Sequence, residues 1–290
     1  MDKLSRGAHY AFIARHNLQT IFPALLSRDP ELQNSISRSI HYSSTPPHTG
    51  GTSTLSDPSH RTKFYVVDSD SFDCAERIVL RDPNVPREGI CVLNMASHQR
   101  AGGGWINGAS AQEEALCRRS TLFLHIEGPK APEQGHSWYP HGPTAGTWSE
   151  GVLVFRNSDA GGNKMLEEDK RFKCNVVSVA AILGPVLTPD QASFAKTSDA
   201  ELTRQKITTI LRIAKLHRQK VLVLGAFGCG AFRNPPTLIA PIFYDLLTQD
   251  AEFTHAFEEV WFAILDFGGS ANLVPFRNAF ATLLERDTTT

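Results

Sequence analysis

The chain has 290 residues, 41% of them hydrophobic and 20% charged, enough apolar material for one large core in an ordinary globular protein. A formal charge of −1 and a pI near 6.8 provide no global positive field, which argues against sequence-general nucleic-acid binding. Any phosphate-rich ligand has to be held by local donors.

Cys74, Cys91, Cys117, Cys174 and Cys229 are scattered, with no C-x-x-C pair and no zinc-type cluster, so a reducing compartment and no bound metal are expected. Met1 is not followed by an apolar leader, and no run reaches the roughly 18 apolar residues of a membrane span. The expectation is an intracellular protein, cytoplasmic or nuclear, with no membrane partner.

In chain order, Ala11, Ile13, Leu18, Ile21 and Phe22 predict an N-terminal helix over 8–22. Residues 41–60 are dense in Ser, Thr, Pro and Gly and read as a mobile surface loop without chemistry. Apolar, β-branched runs then predict buried strands: Phe64-Tyr65-Val66-Val67, Ile90-Cys91-Val92-Leu93, Val152-Leu153-Val154-Phe155, Val176-Val177-Ser178-Val179-Ala180, Val221-Leu222-Val223-Leu224 and Val260-Trp261-Phe262-Ala263-Ile264. Ile207, Ile210, Leu211 and Ala214 form one helical face within 200–217. Asn234-Pro235 reads as an N-cap with Pro at the first helical position, and Pro241 then calls for a kink or a later start. Alternating strands and helices predict an α/β layer structure with its ligand beyond the carboxyl ends of the strands.

Two glycine-rich segments sit at such ends. The first runs from Asn94 through Ser97 and Gly102-Gly103-Gly104 to Gln112-Glu113-Glu114. Three consecutive glycines let backbone approach a sugar or phosphate and offer N–H donors, although a tight turn explains most such runs. Gln112-Glu113-Glu114 starts a helix expected to continue through Ala115, Leu116, Ser120, Leu122 and Phe123. First-turn carboxylates usually just complement the helix dipole; a glycine loop leading into the helix gives these two a further use, because it brings a ligand to the helix N-terminus. The second segment is Gly225-Ala226-Phe227-Gly228-Cys229-Gly230-Ala231-Phe232, a backbone concavity suited to a diphosphate. Phe227 and Phe232 either flank a ring or pack in the core.

Together these segments resemble the bacterial-type poly(ADP-ribose) glycohydrolases, marked by three glycines, a short spacer and Gln-Glu-Glu. Here the spacer is the seven residues 105–111. The likeness extends to 6–22, Tyr139-Pro140, 151–156, 221–235 and 260–280. Two departures stand out: Ala101 where the family often has Pro, and a longer stretch over 128–148 that brings His136, Trp138, His141 and Trp148 near a possible ligand-facing edge. The resemblance implies a macrodomain-like mixed sheet flanked by helices with an N-terminal helical extension, divided as 1–62 and a catalytic domain over 63–290.

It further implies cleavage of ribose–ribose bonds from the chain end without cofactor or metal. Glu114 would be the general acid, Glu113 would hold the ribose hydroxyls with Gln112 in support, and 225–232 would be the diphosphate loop, with Phe227 beside the terminal ribose. Ser97 and Gly102 to Gly104 would complete the binding site. The implied partners are poly(ADP-ribose) and poly-ADP-ribosylated proteins, with ADP-ribose as product and no sequence-specific nucleic acid. A non-catalytic ADP-ribose reader and a hydrolase of mono-ADP-ribosylated substrates are the alternatives. A dinucleotide-binding dehydrogenase fails because no G-x-G-x-x-G follows the first strand.

Overall fold

The computed structural model of the chain describes residues 3–48, 61–81, 89–128, 138–265 and 271–287. Its centre is a seven-stranded mixed sheet in the order β1-β4-β5-β3-β6-β7-β2. The strands are β1 (Ile40–Tyr42), β2 (Lys63–Val67), β3 (Ile90–Met95), β4 (Gly146–Val154), β5 (Phe172–Val179), β6 (Val221–Leu224) and β7 (Glu259–Ala263). β5, β3, β6, β7 and β2 pair in parallel, while β4 runs antiparallel to both β5 and β1.

The six predicted strands are present, and their unbroken apolar runs have a clear cause. Cys91, Leu93, Leu222 and Leu224 face one core cluster, and Ile90, Val92, Val221 and Val223 face the other. Helices cover both faces, so alternate side chains are all buried. One cluster packs under α7 (Thr197–Leu216), α8 (Pro236–Thr248) and α9 (Leu273–Ala279); the other lies under α4 (Ser71–Arg81) and α5 (Gln112–Arg119).

Several local expectations are corrected. The N-terminal helix begins earlier, as α1 (Lys3–His16), and passes through a π-turn at Asn17–Ile21 into α2 (Phe22–Arg28). Asp29 then caps α3 (Pro30–Ser37), its Oδ1 accepting from the N–H of Leu32 at 3.0 Å. Ala14 and Phe22 pack in the same cluster as β3 and α5, so this segment shares the core of the sheet.

The first part of the expected 41–60 loop is ordered. Residues 40–42 form an edge strand on β4, Thr45 Oγ1 lies 2.8 Å from Thr209 Oγ1, and the carbonyl of Pro46 accepts from Arg212. Residues 49–60 lie outside the described residues. Asn234 does not cap α8: its Nδ2 donates to the carbonyls of Ile182 and Gly228, and α8 continues through Pro241 from Pro236. The missing N–H of Pro241 removes one intrahelical bond without ending a helix whose Ile239, Ala240 and Phe243 are fully buried. The helix opening at Gln112 stops at Arg119. Ser120 is extended, and a separate short α6 (Leu122–Ile126) follows because Thr121 pairs with β4 through its N–H to the carbonyl of Leu153.

Candidate active site

A cavity of about 670 Å³ opens beyond the carboxyl ends of β3, β6 and β7, a size typical of small-ligand sites. It is lined by residues after β3 (Ser97, Gly103, Gly104), at the start of α5 (Gln112, Glu113, Glu114), after β6 (Ala226, Gly228, Gly230, Ala231, Phe232) and at the start of α4 (Asp70, Ser71, Asp73). Both glycine-rich segments and the Gln-Glu-Glu run therefore converge on one space.

The triple glycine serves mainly to seat the carboxylates. Gly103 has φ +55°, and a Cβ there would lie 2.5 Å from Glu114 Oε1 and 3.1 Å from Glu113 Oε2. The Gly104 N–H donates to Glu114 Oε1 at 2.9 Å, and the Gly103 N–H donates to the carbonyl of Arg100. Those two amides are thus engaged within the protein, so they differ from the expectation that the glycine N–H groups are offered to a sugar or phosphate. Gly102 faces inward: a Cβ on it would meet the buried Trp105 ring at 2.5 Å. It supports the turn and does not line the cavity.

Glu113 is almost wholly buried. Its Oε2 accepts from the N–H of Ser97 at 2.7 Å and its Oε1 from Asn94 Nδ2 at 3.3 Å; Asn94 also donates to Ser178 Oγ on β5. Burial pushes the Glu113 carboxyl up to about 8; the Ser97 and Asn94 bonds pull it down less strongly, and neighbouring Glu114 raises it further. Burial therefore favours the protonated form of Glu113, the form that lessens repulsion between the two adjacent acids. Glu114, also buried, is held by the Gly104 N–H at the cavity wall.

Gln112 lines the cavity, but its side-chain amide is occupied by protein. Nε2 donates to Ser71 Oγ and the carbonyl of Leu93, and Oε1 accepts from the N–H of Met95. It clamps α5 onto the end of β3, so its support for a ribose is indirect. Arg118 and Arg119, both buried, pin the other end of α5: Arg119 pairs with Asp70 and Asp73, and Arg118 with Asp159. Neither arginine was singled out in the sequence, where two basic residues in a last helical turn read as ordinary dipole partners.

The loop after β6 presents backbone. Among the described residues, the N–H groups of Gly228, Gly230, Ala231 and Phe232 donate to no protein acceptor, and all four residues line the cavity. Such amides form an anion-binding nest. This matters because, among the described residues, Arg100 is the one cation in the lining, the buried Arg118 and Arg119 being already paired with Asp159, Asp70 and Asp73.

Gly225 and Cys229 do not line the cavity, and Cys229 turns its N–H to the carbonyl of Ala226. Phe227 is fully buried in the core cluster, so its side chain flanks no ligand ring; Phe232 is the aromatic of this loop at the cavity. The reason is turn geometry: Gly228 at φ +74° reverses the chain after Phe227 has entered the core.

The inserted stretch is also placed differently from expectation. Trp148 is buried in β4 against His217, Trp138 stacks on His41, and His141 stacks on Tyr139. None of Trp138, His141 and Trp148 lines the cavity, and His136 lies outside the described residues.

Comparison with known proteins agrees with this architecture. The family model for the microbial-type PARG catalytic domain matches residues 26–157, which include the triple glycine and Gln-Glu-Glu. The fold is similar to that of poly(ADP-ribose) glycohydrolase from Thermomonospora curvata, with a TM-score of 0.74 at 25% identity over 96% of this chain and 100% of that one. It is also similar to the Deinococcus radiodurans poly(ADP-ribose) glycohydrolase crystallised with ADP-ribose, with a TM-score of 0.66 at 26% identity over 88% and 99% of the two chains. A comparison with curated protein sequences finds no match. The segment that carries the two glutamates thus matches the microbial-type PARG catalytic-domain model, and the whole fold is similar to those of two bacterial poly(ADP-ribose) glycohydrolases.

Proposed function

We propose that this glycosidase removes ADP-ribose units from the end of poly(ADP-ribose), with Glu114 as general acid and then general base. The observation that carries the reading is the seating of Glu114: a buried carboxyl at a cavity wall, oriented by the Gly104 N–H, beside the second buried carboxyl of Glu113.

The bond cleaved joins C1 of one ribose to a hydroxyl oxygen of another, so its transition state is oxocarbenium-like and needs a proton on the leaving oxygen. Retaining glycosidases place two carboxyls about 5 Å apart on opposite sides of the bond. Glu113 and Glu114 both lie against Gly103 and so approach a ligand from one side. This favours direct attack by water over a covalent glycosyl intermediate: Glu114 gives its proton to the departing oxygen, then takes one from the attacking water. Glu113 holds ribose hydroxyls, and the free amides after β6 hold the diphosphate.

The end-cutting mode requires that the terminal unit be enclosed; Phe227, expected to block a further unit, is buried in the core, and Phe232 takes that part as the aromatic of the loop that lines the cavity. A non-catalytic ADP-ribose reader would have no use for two buried acids beside the sugar. The test is incubation of the purified protein with defined poly(ADP-ribose) and with mono-ADP-ribosylated protein. ADP-ribose as sole early product, a protein-linked unit left in place and no effect of EDTA are expected. Early internal oligomers on a sizing gel, or clean removal of the protein-linked unit, would overturn the scheme.

A further inference from the structure

We infer that Arg118 is a positioning residue, which uses the N-terminal helix to hold the turn that seats Glu114. Its guanidinium is fully buried, yet it touches three separate parts of the molecule. Nη1 donates to the carbonyl of Ala109 at 2.6 Å, inside the spacer between the triple glycine and Gln112. Nη2 reaches both oxygens of Asp159, at 3.3 and 3.2 Å, on the cavity rim. The guanidinium carbon stands 3.9 Å from the centroid of the Tyr10 ring of α1.

Further contacts tie α1 to the same place. The carbonyl of Arg118 accepts from Nδ2 of Asn17, buried in the π-turn that ends α1, and Asn17 Oδ1 accepts from Arg156. Gly108, at φ +83°, lies so close to α1 that a Cβ on it would fall 2.0 Å from the carbonyl oxygen of Gly7. The spacer turn is therefore gripped from outside by α1 and from beneath by Arg118. Within that turn, the N–H of Ala109 bonds the carbonyl of Gly104, and the N–H of Gly104 holds Glu114. A planar fork alone serves both Ala109 and Asp159 from this depth; a lysine ammonium supplies the charge but not the two directed donors.

The inference rests on the proposed glycohydrolase reading for its kinetic consequence but not for its structural one, so two readouts separate them. Arg118→Lys is compared with the wild type for kcat and KM on poly(ADP-ribose), normalised to folded protein, and for amide hydrogen exchange over residues 104–109. The expected result is a fall in kcat of about tenfold with KM within about twofold, as for a misplaced catalytic group, together with faster exchange confined to that turn. Arg118→Met is the harsher variant; if it does not fold, Arg118→Lys decides. Wild-type exchange and wild-type kcat in Arg118→Lys would overturn the inference. A wild-type protein without hydrolase activity would sink the proposed function instead, and the exchange experiment would still decide whether Arg118 holds the turn.

Discussion

The backbone N–H of Gly104 donates to Glu114 Oε1 at 2.9 Å, so the glycine run orients the acid across the turn that separates them in sequence. Gly103 adjoins the same oxygen, where a methyl group would stand 2.5 Å away, on a backbone with φ +55°. Gly103→Ala should therefore displace Glu114 and lower turnover about a hundredfold. Kinetics beside ADP-ribose calorimetry check this; unchanged turnover would mean that Glu114 is not held as described.

Glu114→Gln keeps the volume and an acceptor for the Gly104 N–H while removing the proton. Turnover should fall at least about a hundredfold, the usual scale for a lost general acid, with ADP-ribose affinity retained. Wild-type turnover in the folded variant would move the acid elsewhere.

Glu113 has a folded value of about 8 against an ordinary 4.5. Between those values the native state keeps a proton that the unfolded chain has released. The stability this proton contributes is complete below about pH 4.5 and is lost as pH rises through about 8. Glu113→Gln should flatten that decline, leaving the variant relatively more stable than the wild type at pH 9 than at pH 5. Melting temperatures across this range measure it, and parallel curves for the two proteins would refute the burial argument.

Gly228 and Gly230 should respond differently although both lie in one loop. A Cβ on Gly228 would meet Ala181 at 2.5 Å and Asn234 at 2.6 Å, with φ +74°, so Gly228→Ala should destabilise the fold. At Gly230 a Cβ meets nothing within 4 Å. Gly230→Val should leave the melting temperature near wild type and weaken ADP-ribose binding. Unchanged affinity by calorimetry would remove this loop from diphosphate binding.

The two phenylalanines of that loop separate packing from recognition. Phe227→Ala should lower stability by about 3–5 kcal/mol, the usual range for emptying a buried aromatic site. Phe232→Ala should cost less stability and more ADP-ribose affinity, because its ring borders the cavity. Denaturant unfolding and calorimetry on both variants distinguish the roles; a larger binding loss in Phe227→Ala would reverse the assignment.

Much of this was legible from local pattern. Strands buried on both faces betray themselves by unbroken apolar runs, as at Val221–Leu224, where the expected and observed bounds coincide. Two glycine-rich segments at strand ends pointed to one ligand site by the general rule for such sheets. The order of residues from Gly102 to Glu114 carries the family resemblance, and it is that resemblance which proposes Glu114 as the acid.

What each polar group does there depended on partners remote in sequence. The composition of Gln112 does not reveal that Leu93, Met95 and Ser71 consume its amide, nor does that of Glu113 reveal that Asn94 and Ser97 hold it. Arg118 is 101 residues from Asn17, and only the folded chain brings α1 against the turn before Gln112. Phe227 and Phe232 are alike in type and five positions apart, yet one is core and the other borders the cavity, because the positive-φ turn at Gly228 reverses the chain between them. Periodicity and residue type determine which segments become strands, helices and turns. Which amide is spent within the protein and which remains for a ligand is decided by tertiary contacts, since a hydrogen bond needs its partner within about 3 Å and no local rule supplies that partner.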